Sequence, residues 1–120
     1  MPNKPKKVAP KKISRRNEHS PARLDELIAE ATVDAYDDSE QITGFYTMFE
    51  EHLSMPFKTE VLGVDVIVDR VDITDDERIV AVCVRGKSRQ RIPIHELPLP
   101  DPPPEGSAWI DAYCRWARGR

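Results

Sequence analysis

Cysteine is scarce, long apolar runs are missing, and one extended stretch of the chain has no cation. The two cysteines, Cys83 and Cys114, do not make a disulfide framework. Each sits in an apolar pattern and reads as a small buried hydrophobe in a reducing compartment. No apolar run approaches the ~18–20 residues of a membrane span. The N-terminal stretch is positive but has no apolar h-region, so no secretory signal is expected and the cytoplasm is the location that fits. His19, His52 and His95 are scattered, without the Cys/His spacing of a zinc site. A nucleophile elbow, a P-loop, a dinucleotide fingerprint and a paired acid–base set are all missing, which argues for a protein that is not an enzyme. No internal repeat is seen. Finally, no Lys or Arg lies between Arg23 and Lys58.

What is present is unevenly distributed. The 120 residues suffice for one small domain with a real core. The formal charge of −3 hides a partition: residues 1–23 carry +7, residues 24–77 carry −14 and residues 78–120 carry +4. Residues 1–22 are rich in Pro and Lys and poor in core formers. Such a segment cannot bury enough apolar surface to offset its ordering entropy, so a disordered basic tail over 1–22 is expected, with a single domain over 23–120.

Within the domain the hydrophobic period changes twice. Leu24, Leu27, Ile28, Ala31 and Ala35 follow the i, i+3, i+4, i+7 spacing of one helix face, predicting a helix from about Arg23 to Asp37. Ile42, Phe45, Tyr46, Phe49 and Leu53 predict a second from about Ser39 to Leu53, with Ser39 as N-cap and Pro56 beyond its end. Residues 57–97 then alternate with period two. The Val64–Asp69 stretch and the β-branched run Ile79–Val84 read as strands joined by an Asp75-Asp76-Glu77 turn, and Arg89–Ile94 follows a turn at Gly86-Lys87. Pro93 marks an edge or a strand end. Four or five short antiparallel strands point to a small, strongly bent SH3-like barrel. Leu97–Pro104 is a polyproline-type connector, and Trp109, Ala112, Tyr113 and Trp116 mark a last short helix closed by Gly119. The fold class expected is α+β: two N-terminal helices, a small antiparallel SH3-like barrel, and a short C-terminal helix sealing one barrel end.

The chemistry concentrates between the first two helices. Asp34, Asp37, Asp38 and Glu40 fall within seven residues. Glu26, Glu30, Asp34 and Asp38 are each four apart, and like charges at that spacing destabilise a helix by roughly 0.2–0.5 kcal/mol per pair. Two things offset this: the N-terminus of the second helix favours anions, and a hard cation takes several carboxylate or carbonyl oxygens. The residues thus read either as a solvated acidic turn or as a calcium site. No EF-hand is present, because a loop begun at Asp34, Asp37 or Asp72 has neither Gly at its sixth position nor Glu at its twelfth. Modest affinity, with magnesium competing, is expected.

VDAYD-x-x-E-x-x-x-G-F-Y, followed by Glu50-Glu51-x-Leu53 and Pro56-Phe57, resembles the cyanobacterial CcbP-like calcium-binding family. The likeness runs on through the alternating valines, the segment Arg91–Leu97 and a terminal aromatic helix ending Ala117-Arg118-Gly119, about residues 30–119 in all. The resemblance implies calcium binding by surface acidic residues without EF-hands. Asp34, Asp37, Asp38 and Glu40 match acidic positions of its motif, as do Glu50 and Glu51.

The function expected is therefore non-enzymatic calcium binding, as a buffer or a sensor. Asp75, Asp76 and Glu77 form a possible second site, although an Asp-rich strand turn is usually turn chemistry. The alternative is an adaptor whose basic tail contacts nucleic acid or another anionic partner through phosphate-neutralising Lys and Arg. Oligomeric state is not readable from the sequence.

Overall fold

The computed structural model describes residues 19–119. The disordered tail expected over 1–22 thus lies, up to residue 18, outside the described residues. Helix α1 spans Pro21–Ala31, two residues earlier than its apolar period suggests. Ser20 caps it, its hydroxyl oxygen accepting from the Arg23 amide at 3.1 Å, and Pro21 sits where no intrahelical donor is required. His19 Nδ1 stands 3.2 Å from a carboxylate oxygen of buried Asp111, which fixes the start of α1 to the far end of the domain.

The expected continuation of this helix to Asp37 is not observed. The amide and hydroxyl of Thr32 both donate to the Ile28 carbonyl, at 3.0 and 2.8 Å, and Asp34 then takes a left-handed φ of 60°. Ending α1 at Ala31 keeps Asp34 out of the helix, so the predicted ladder Glu26–Glu30–Asp34–Asp38 never stacks. Helix α2 spans Asp38–His52 and is capped by Asp37, not by Ser39. It crosses α1 closely: a Cβ at Gly44 would collide with the Ala31 carbonyl.

Four antiparallel strands follow: β1 (Phe57–Val61), β2 (Val64–Ile73), β3 (Ile79–Arg85) and β4 (Ser88–Pro93). They form one sheet in the order β1-β2-β3-β4, with a register shift in β2 between Val68 and Arg70. A short 3-10 turn, Ile94–Glu96, leads through the Pro-rich connector to helix α3, Ala108–Arg118, closed by Gly119 as expected.

The α+β class and the order of elements are as expected, but the sheet is an open meander and not a closed barrel. Closure requires β1 to pair with β4, and both remain edges. Pro93 withdraws a donor where β4 ends. The flank of β1 is taken instead by the connector: the Thr59 hydroxyl donates to the Pro98 carbonyl at 2.6 Å, and Leu97 and Leu99 are buried beside it. The inner face of the sheet is filled by helices. Val68, Val71, Ile79, Ala81 and Cys83 share one core with Phe45, Phe49, Trp109 and Tyr113. Phe45 meets Tyr113 edge-on at 5.4 Å and Trp116 at 5.3 Å. Accordingly α3 packs on α1, α2 and the 3-10 turn and does not seal a barrel end. Cys83 and Cys114 are free and buried.

On the outer face Val80 and Val82 are also buried. Val82 pairs in register with Arg70 and Arg91, whose aliphatic stems can lie over it while their heads reach Asp69 and Asp72 at 3.3 and 3.4 Å. Among the described residues no helix is long and apolar enough to cross a membrane.

Candidate metal centre

Six residues, 32–37, separate α1 from α2, half the length of an EF-hand loop. Their geometry is set by a reciprocal cap. Asp37 Oδ1 accepts from the Glu40 amide at 2.8 Å, and Glu40 Oε1 accepts from the amides of Tyr36 and Asp37 at 2.6 and 3.3 Å. This capping box satisfies the donors at the start of α2, and the positive end of the helix dipole favours both carboxylates. The acids thus sit where local electrostatics supports them.

All four predicted residues, Asp34, Asp37, Asp38 and Glu40, are solvent-exposed. The structure relates three of them in pairs and places Asp38, the first residue of α2, in neither pair. Asp37 and Glu40 share the cap. Asp34 and Glu40, with Ser39 and Thr43, line a shallow concavity of about 310 Å³ against the end of α1. Among the described residues no three Asp, Glu, His or Cys side chains converge into a preformed metal cage. These carboxylates offer hard, exposed oxygens, the kind a hard cation takes together with water.

The second predicted set lies in the β2–β3 turn. The Thr74 hydroxyl donates to the Asp76 carboxylate and accepts from the Arg78 amide at 3.1 Å, while Arg78 Nε stands 3.3 Å from Asp76 Oδ2. The Thr74 hydrogen bond, helped by the backbone and Arg78, holds the Asp76 carboxyl below its usual range against the opposing effect of burial. Glu77 adopts φ 64° and its amide donates to the Thr74 carbonyl at 2.9 Å. These contacts account for the turn, with one of its acids already matched by a cation.

Two acidic arrangements were not anticipated. Glu60 and Asp65 are register partners across the β1–β2 hairpin, and with Asp101 of the connector and Lys58 they line a concavity of about 520 Å³. The turn at Leu62-Gly63 sets that pairing, with only Gly63 as a local signal, and the approach of Asp101 has no local signal at all. On α2, Tyr46 reaches the Val71 carbonyl at 3.5 Å, and its hydroxyl is pushed above its usual pKa by burial and then by neighbouring Glu50 and Asp72.

A family model described as calcium binding, CcbP, matches residues 25–117. The chain belongs to the CcbP calcium-binding family. The match takes in both helices of the acidic junction, the whole sheet and nearly all of α3. Comparison with curated proteins and with solved structures gives no match.

Proposed function

We propose that this member of the family is a non-enzymatic, non-EF-hand calcium-binding protein, a buffer or a sensor, that takes the ion at the α1–α2 junction. Asp34, Asp37, Asp38 and Glu40 supply carboxylate oxygens. The observation that carries this reading is the placement of Asp34 and Glu40 on one concavity beside Asp37, within a span that has no Lys or Arg. Because every donor is exposed, the bound ion keeps water ligands, affinity is modest, and magnesium competes. Because Asp37 and Glu40 already hold the cap of α2, a cation drawing on them trades against those hydrogen bonds. Binding at the junction therefore adjusts the entry of α2.

Calcium titration of chelator-treated protein, followed by backbone amide resonances, tests this. Shifts centred on residues 33–41 are expected, with weaker binding in the double variant Asp37→Asn, Asp38→Asn. Shifts that spread along α2 into the sheet identify a sensor; shifts confined to the junction identify a buffer. An unchanged spectrum at millimolar calcium sinks the proposal, and shifts centred on Glu60, Asp65 and Asp101 move the site to the β1 side of the sheet.

A further inference from the structure

The helix-bearing face of the sheet extends beyond its helices. At the end formed by the two hairpins, Val61, Val64, Val66, Cys83 and Ile92 form the floor of an apolar cleft of about 330 Å³. All four strands contribute to it, and it opens where a closed barrel would have continued. Arg85 lies on the same face, in register with Ser88, while Arg89, in register with Val84, belongs to the opposite face and meets the cleft only at the rim. Arg85 has no carboxylate within ion-pair distance among the described residues. Arg89 reaches Asp69 only at 3.9 Å.

The turn beside this cleft breaks a local rule. Leu62 and Gly63 have φ 52° and 79°, the signature of a two-residue type I′ hairpin turn, whose first position favours Asn, Asp or Gly. Leucine there works against the backbone, and its side chain is 97% exposed. A large apolar side chain held at a positive φ and left exposed among the described residues is what an intermolecular contact needs.

The chain also carries a segment of the complementary kind. At the α1–α2 junction Val33 is 67% and Tyr36 87% exposed, and Asp34, Asp37 and Asp38 flank them. The turn geometry and the cap of α2 hold this segment in a fixed shape. Apolar side chains between acids match an apolar floor between arginines.

We propose that the junction of one copy docks in the hairpin-end cleft of a second copy, with Tyr36 and Val33 against Leu62 and the valine floor, and Asp34 and Asp37 toward Arg85 and Arg89. The two surfaces differ, so the contact is heterologous: each copy offers one of each and association continues beyond a pair. The contact is far smaller than a standard interface, and dissociation constants on the order of 0.1–1 mM are expected. The inference does not depend on calcium, and its test is run in chelator.

Sedimentation equilibrium of the full chain at low salt, from about 10 µM to about 1 mM to span the affinity range, is expected to show a weight-average mass that rises with concentration. Leu62→Asn and Tyr36→Ser, each alone, are expected to weaken association at least fivefold. Both residues are neutral, so such a loss is not an effect of bulk charge. Leu62→Asn is also expected to raise the melting temperature, since Asn accepts a left-handed φ, which separates lost docking from lost folding. An equimolar mixture of the two variants is expected to form a complex that stops at two copies, because only one intact junction can meet one intact cleft. A monomer at all concentrations overturns the inference, including the case in which the cleft serves an acidic segment of another protein. Association insensitive to either variant, or a mixture that does not combine, also overturns it.

Discussion

Asp37 carries two roles that separate by substitution. Its carboxylate caps α2, and it is a proposed calcium donor. Asp37→Ala should cost about 0.5–2 kcal/mol in chelator, whereas Asp37→Asn should be nearly neutral because Asn caps equally well. Chemical denaturation of both variants without calcium checks this. Equal stability of the two would mean that the cap contributes nothing. Phe45 and Phe49 are fully buried against Tyr113. Truncating either to Ala should cost about 3–5 kcal/mol, read as a large fall in melting temperature. These two aromatics were legible because a 3.6-residue period identifies a buried face without reference to what covers it. The capping residue was not: Asp37, Asp38 and Ser39 are all good N-caps, and the extended backbone at Asp37 decides between them.

Helices α1 and α3 are joined across the surface by Asp25 and Arg115, with Arg115 Nε donating to Asp25 Oδ1 at 2.8 Å and Nη2 to Oδ2 at 3.4 Å. The Arg115 hydrogen bond, with its charge, holds the Asp25 carboxyl below its usual value of 3.8, outweighing the opposing effect of burial. A carboxylate whose folded pKa is depressed adds stability that is complete above the unfolded value and is lost as pH falls through the folded one. The melting-temperature difference between the wild type and Asp25→Asn should therefore be constant near neutrality, begin to shrink near pH 3.8, and vanish only once pH has fallen through the lower folded value. Both side chains are exposed, so the difference should be small and should shrink in salt. A difference that persists at the lowest pH would assign it to something other than this pair. The sequence carried each helix but not their pairing: α1 and α3 are ninety residues apart at this contact. The run Ile79–Val84 and the turns at Asp75–Glu77 and Gly86-Lys87 were likewise local and legible, whereas β2 runs to Ile73, four residues past the alternating stretch that ended at Asp69. Closure of the sheet was not, since it depends on the first and last strands meeting.

The molecule as a whole is a charge-partitioned chain. Residues 1–18 contain seven Lys or Arg and one acid, and the segment 24–77 carries −14. Cations joined covalently to the same short chain would compete for the acidic junction at an effective concentration on the order of millimolar. Deleting residues 1–18 should therefore tighten divalent-cation binding at low salt, measured by calorimetric titration. The gain should fade toward physiological ionic strength, where exposed charges are screened over about 8 Å. Unaltered affinity at low salt would assign the tail's charge to a partner outside the domain, as in the adaptor reading.

By itself the sequence determined that there are three helices, the two longest strands, the turns at Asp75–Glu77 and Gly86-Lys87, the aromatic core and the family, because each is written in short-range periodicity or in a contiguous motif. The tertiary structure alone decided where α1 stops, and so which acids are spared stacking. It also left the sheet open, and it set Asp101 beside Glu60 and Asp65. The reason is the same in each case. These outcomes depend on what a distant segment does with the space: the α2 backbone presses Gly44 onto the end of α1, and the connector takes the flank of β1 that a closing strand would need.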